Sequence, residues 1–63
     1  MKYYIEYGYD RHYTSWVIIV FDEYGNEIEN SYVGNKTDRD LEINYYMEQY
    51  NVDKADVTKI KAY

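Results

Sequence analysis

The chain has 63 residues, twelve of them acidic and seven basic, so its net charge is −5, and it contains neither cysteine nor proline. A chain of this length makes one small domain, residues 1–63, which buries only about 60% of the surface exposed by its unfolded form. Disulfides and thiolate metal sites are excluded, a lone His12 cannot hold zinc, and an acid excess does not attract a phosphate backbone.

Lys2 to Tyr9 alternates, with Tyr3, Ile5, Tyr7 and Tyr9 at odd positions against Lys2, Tyr4, Glu6 and Gly8 at even ones. Period two predicts a half-buried strand. Asp10-Arg11-His12 is a polar break suited to a hairpin loop. The second strand is expected from about Tyr13 to Phe21. Its core, Trp16-Val17-Ile18-Ile19-Val20-Phe21, is apolar at even and odd positions alike. A strand with one wet face alternates, so this run predicts a central strand covered on both sides. Asp22-Glu23-Tyr24-Gly25-Asn26 reads as a bulged hairpin turn, with Asp22 opening a type I turn and Gly25 in the left-handed region.

Glu27 to Val33 is the return strand. Strict alternation puts Ile28, Asn30 and Tyr32 on one face and Glu27, Glu29 and Ser31 on the other, and its polarity suits a sheet edge. After Gly34-Asn35-Lys36, Thr37 is the expected helix N-cap, with Asp38 and Asp40 in the first turn where the helix dipole favours carboxylates. The helix should run to about Tyr50 and close at Asn51. Ile43, Tyr46, Met47 and Tyr50 recur at spacings of three and four and form the core face. Leu41 and Tyr45 lie on another side. Val57 to Tyr63 is the last strand, with Lys59 and Lys61 guarding an edge.

The predicted fold is therefore α+β: a small, mostly antiparallel sheet in the order β-β-β-α-β, with one helix packed on one face. The last strand should lie parallel to a neighbour, the first strand being the natural choice. The opposite face of the central strand then needs aromatic side chains or a second copy to cover it.

Chemistry is scarce. Nucleophilic catalysis needs a nucleophile, a base and an orienting group. Here Ser15, Ser31, a Thr or a Tyr would have to work with His12, which sits in a loop. The carboxylate pairs occur where turns and helix starts place acids anyway. No calcium loop, phosphate loop or dinucleotide fingerprint is present. We expect no enzyme and no cofactor. Met1 to Glu6 has no apolar signal-sequence core and nothing reaches a spanning length, which points to a cytoplasmic protein.

Eleven tyrosines are more than a domain this size can hide, so several must be exposed. Tyrosine supplies contact area at little rotamer cost, and carboxylates steer association towards Arg- and Lys-rich grooves. The expected protein-binding residues are Glu23 and Tyr24 at the hairpin tip, Glu27 and Glu29 on the return strand, and Asp38, Asp40, Glu42, Tyr45 and Glu48 on the outer helix. A homodimer built on the uncovered strand face or on the Leu41/Tyr45 side is the alternative. A Tyr3/Tyr7/Tyr9 platform for single-stranded nucleic acid is the third reading, with few cations to support it.

The hairpin at Asp22-Glu23-Tyr24-Gly25-Asn26 followed by an acidic helix, in a small Tyr-rich chain without Cys or Pro, resembles the inhibitors encoded by bacteriophages and mobile elements. Anti-CRISPR proteins and DNA mimics are the best-known groups. The resemblance implies a small acidic inhibitor that blocks a nucleic-acid-binding protein with a basic groove, in a host bacterial cytoplasm.

Overall fold

The computed structural model describes residues 1–61. Three antiparallel-paired strands, β1 (Tyr3–Asp10), β2 (Ser15–Asp22) and β3 (Glu27–Val33), precede the helix α1 (Lys36–Tyr50). A single 3-10 turn at Lys54–Asp56 then leads into β4 (Val57–Lys59). The four strands lie in the order β3-β2-β1-β4, and β4 runs parallel to β1. This is the predicted α+β fold, with the last strand beside the first. Of the expected final strand only Val57–Lys59 pairs; Ala62 and Tyr63 lie outside the described residues.

The registers Ile5↔Val20, Tyr7↔Ile18 and Tyr9↔Trp16 place these side chains on one face of the sheet. Helix α1 covers that face. Ile5, Ile18 and Val20 are fully buried there, together with Ile43 and Tyr46 from α1 and Val52 from the connector. Met47, Tyr50, Tyr3 and Tyr7 pack around them. The Ile43 face of the helix is thus the core face, and Leu41 and Tyr45 are left exposed.

Two helix ends and one hairpin follow from local chemistry. Asn35, not Thr37, is the N-cap. Its side-chain oxygen accepts from the Asp38 backbone N–H at 2.8 Å, and its amide donates to the Asp38 carboxylate at 3.1 Å. The two residues satisfy each other, an arrangement Thr37 cannot make with one hydroxyl. At the other end Asn51 takes the left-handed conformation and its N–H bonds the Met47 carbonyl. In the β2–β3 hairpin the Gly25 N–H donates to the Asp22 carbonyl at 3.1 Å, and Gly25 adopts φ +85°. That is the bulged type I turn expected from the sequence.

Two expectations change. A bulge shifts the β2–β3 register between Val20 and Phe21, so Phe21 pairs with Glu27 but Val20 with Glu29. Glu27 and Glu29 therefore emerge on opposite faces rather than together, because one extra residue reverses the alternation. The run Trp16–Phe21 is also less enclosed than its composition suggests. Trp16, Ile18 and Val20 are buried under the helix and Val17 is buried on the other side, but Ile19 and Phe21 are only half-buried. No described element lies across that second, open face.

Candidate protein-binding face

Helix geometry divides the outer surface of α1 into flanks. Asp38, Glu42 and Tyr45 recur at spacings of four and three along the flank facing β3. Asp40 and Asn44 lie on the flank facing β4, where they border a groove floored by Tyr7, Ile43, Met47 and Val57 and edged by Lys54. Glu48, three residues from Tyr45 and seven from Leu41, lies on the outermost strip.

The β3 flank meets the end of β3 in one shallow groove. Tyr32, Val33 and Gly34 form one wall; Asp38, Leu41, Glu42 and Tyr45 form the other. None of these residues is basic. Leu41 is 63% exposed, and Tyr32 and Tyr45 are each 56% exposed. Apolar area therefore lies open between carboxylates, the composition of a contact surface.

Beneath the groove, α1 is fastened to β3 by two phenols. Tyr46 and Ser31 share a hydroxyl–hydroxyl hydrogen bond, and the Tyr50 hydroxyl donates to the Glu29 carboxylate. Burial raises the Tyr46 hydroxyl above the usual phenol range; the Ser31 bond opposes this, while the nearby Glu42 and Glu29 charges add to it. Tyr50 is pushed up to about 12, first by its bond to Glu29, then by burial and by the same carboxylate's charge. Both phenols stay protonated at neutral pH, so the negative charge here comes from carboxylates alone. Through Tyr46 the structure brings Glu29 and Glu42, thirteen positions apart in the chain, into one electrostatic neighbourhood.

Three cations are engaged elsewhere. Lys2 pairs with Asp56 at 3.5 Å, Arg39 pairs with Asp40 at 2.8 Å, and Lys59 lies 5.7 Å over the Trp16 ring.

Of the nine residues expected from the sequence, Asp38, Glu42 and Tyr45 line the β3–α1 groove, while Glu29 lies further along β3, bonded to Tyr50, and Glu48 lies on the outermost strip of the helix. Glu27 is turned to the open face and bonds the Asn30 side chain at 2.8 Å. Asp40 is on the far flank and engaged by Arg39. Glu23 and Tyr24 occupy the hairpin tip, where Glu23 accepts from the Lys2 backbone N–H at 3.3 Å. Tyr32 was not singled out from the sequence; its register with Val17 puts it on the open face at the sheet edge, from where it also borders the groove.

No three carboxylate, imidazole or thiol side chains cluster as metal ligands among the described residues, and no described helix is long and apolar enough to cross a membrane. His12 is exposed in the β1–β2 turn, where its backbone N–H donates to Asp10 at 2.9 Å. Compared with known proteins, the chain matches no family model, no curated protein and no solved structure.

Proposed function

We propose that this protein is a small acidic inhibitor that binds another protein and occupies its nucleic-acid groove, in the manner of an anti-CRISPR protein or a DNA mimic. The observation that carries the reading is the β3–α1 groove: the carboxylates of Asp38 and Glu42 beside exposed Leu41 and Tyr45, with no cation among the residues that line it. Asp38 and Glu42 are four residues apart on the helix, about 6 Å along its axis. That is close to the rise of two nucleotides in one strand of duplex, about 7 Å. Carboxylates so spaced suit a groove lined by Lys and Arg, and the phenol and leucine surfaces add desolvated contact. The setting is the cytoplasm of a bacterial host.

A bacterial lysate passed over the immobilised protein at low salt tests this. The expected catch is a nucleic-acid-binding protein that is released by added DNA or RNA, and by rising salt. The variant Glu42→Lys should lose it. A catch unaffected by nucleic acid, or retained by that variant, sinks the reading.

A further inference from the structure

We infer that the partner meets the β3–α1 groove as an extended segment bearing Lys or Arg at alternate positions, and that this segment adds to the free edge of β3 as a further strand. This rests on the reading of that groove as a contact surface and names the form in which the partner enters it.

Strand β3 ends the sheet on one side, and the hairpin fixes which of its backbone groups are left over. The Asp22 N–H donates to the Asn26 carbonyl at 2.9 Å, and the Asp22 carbonyl accepts from the Gly25 N–H at 3.1 Å. Both backbone groups of Asp22 thus face β3. That direction alternates residue by residue along an antiparallel strand, and the β1–β2 register is unbroken. Val20, Ile18 and Trp16 therefore face β3 as well, and Phe21, Ile19 and Val17 face β1. The far side of the sheet agrees: Tyr7, opposite Ile18, is left to face β4, and its carbonyl accepts from the Ile60 N–H at 2.8 Å. Opposite Val20, Ile18 and Trp16 stand Glu29, Ser31 and Val33, whose backbone groups are directed at β2. Asn30 and Tyr32, between them, turn a donor and an acceptor each away from the sheet. The bulge lies at the other end of β3, so this stretch is regular.

A strand bonded to Asn30 and Tyr32 lies about 4.8 Å beyond β3, beside the groove that Tyr32 and Val33 share with α1. Its alternate side chains turn to the helix side, where Asp38, Leu41, Glu42 and Tyr45 line that groove. Backbone bonds then supply affinity and the groove reads every second residue, the mode of strand addition. Charge selects the occupant. The groove has two carboxylates and no cation, and β3 itself carries Glu27 and Glu29 and no basic residue. Lys or Arg side chains answer this, with the charged head at Asp38 or Glu42 and the apolar stem along exposed Leu41 and Tyr45. The two sheet edges differ in this respect. Strand β4 is three residues long and ends in Lys59, a guarded edge, whereas β3 has neither the lysine nor the proline that blocks pairing. A second copy fits the edge poorly. Pairing β3 with its own copy sets Asp38 and Glu42 of one α1 towards those of the other, with no cation to offset them.

Titration of the isotope-labelled full chain with a capped synthetic peptide of alternating Lys and Thr, as long as β3, is the test. The amide signals of Asn30 and Tyr32 should shift and their hydrogen exchange should slow, while the amides of Ser31 and Val33, already bonded to β2, change little. Only one alternate set of peptide amides faces β3 in a ladder. N-methylation of that set should abolish binding, and N-methylation of the other set should leave it. Asn30→Pro removes an outward N–H and leaves the groove side chains in place, so it should weaken the peptide at least about tenfold. Trp16 fluorescence shows whether that variant is folded; if it is not, the methylated peptides decide. Absence of binding up to about 1 mM peptide overturns the inference. So does loss of binding with both methylated sets or with neither, the latter marking a contact of side chains alone. A free chain that dimerises as its concentration rises, and stops doing so with Asn30→Pro, gives the edge to a second copy and overturns it too. A lysate catch that is not a nucleic-acid-binding protein sinks the proposed function and leaves the peptide result standing.

Discussion

The guanidinium carbon of Arg39 lies 4.4 Å from the centre of the Trp16 ring. It is also 5.4 Å from the Tyr7 ring, and its Nε and Nη2 both donate to Asp40 Oδ1, at 2.9 and 2.8 Å. Trp16 in turn meets Tyr9 edge-on at 5.3 Å. The first turn of α1 is thereby anchored to the start of β2 by a flat cation between a ring and a carboxylate. Arg39→Ala should lower stability by about 1–2 kcal/mol, from lost stacking and lost packing of the side-chain stem. Arg39→Lys should recover only part, because an ammonium cannot stack as a plane. Trp16 is the sole tryptophan, so urea unfolding followed by its fluorescence reads both. Equal stability of wild type and Arg39→Ala would show the contact to be idle.

The Tyr50–Glu29 bond makes a prediction at high pH. Tyr50 holds its proton up to about 12 in the folded state, against about 10 for a free phenol. A raised folded-state value means stability that is fully present below about 10 and is lost as pH rises towards about 12. Tyr46, also raised, loses its contribution in the same direction. Glu29→Gln removes the carboxylate acceptor and its charge, so Tyr50 should ionise nearer the ordinary phenol range. A phenolate absorbance titration measures this. An unchanged titration in Glu29→Gln would mean that the bond is not made in solution.

Asp22 governs the acid side. Its carboxylate accepts from the backbone N–H groups of Tyr24 and Asn26, each at 2.9 Å, and from the Asn26 side chain at 3.0 Å. Those bonds, the Asn26 backbone one first, hold it below the usual carboxylate range against the opposing effect of burial. A depressed folded-state value gives stability that is present above the unfolded carboxylate range and is lost as pH falls through the folded one. Asp22→Asn should lower the thermal midpoint at neutral pH and flatten its decline in acid. A wild-type midpoint that does not fall in acid removes the argument.

The sequence carried those residues whose role is set by their immediate neighbours. Asp22 and Gly25 announce a bulged turn because only certain residues take its dihedrals. The doubly apolar run at Trp16–Phe21 announces a central strand, and Asn51 a left-handed helix end. What was hidden depends on long-range placement. The bulge opposite Val20 has no residue of its own to mark it; it appears only when β3 must pair with β2, and it then sends Glu27 and Glu29 to opposite faces. Asn35 and Thr37 are both capping types, and the choice between them rests on Asp38 answering Asn35 with its own carboxylate. The seam was half legible: Asp38, Glu42 and Tyr45 share a helix flank by spacing alone. The removal of Asp40 to the other flank, and of Glu29 to its bond with Tyr50, follow from the line that α1 takes across the sheet.

Thr14 stores strain in the β1–β2 loop. It adopts φ +47°, in the left-handed region, which a β-branched side chain enters at a cost of about 1–2 kcal/mol. The conformation is held because Asp10 accepts from two loop N–H groups and the Thr14 hydroxyl reaches the Tyr13 carbonyl at 2.8 Å. Asparagine enters the same region more readily. Thr14→Asn should therefore raise stability by about 0.5–1 kcal/mol, without disturbing Trp16 fluorescence in the folded state. A loss of stability would show that the hydroxyl bond outweighs the strain.

Ile18 tests how little margin the fold has. It is fully buried at the meeting of β1, β2 and α1. Truncation to alanine costs about 3–4 kcal/mol, because the removed methylenes leave a cavity that neighbours only partly fill. A chain of 63 residues has a total stability of only about 3–9 kcal/mol. No disulfide is present to add to it, since the chain has no cysteine. Ile18→Ala should therefore be largely unfolded, or lose most of its urea midpoint at room temperature. Ile19→Ala, one residue along and half-buried on the open face, should cost much less. The contrast between neighbouring isoleucines checks which face of β2 carries the core: similar losses would place the core on both sides of the sheet.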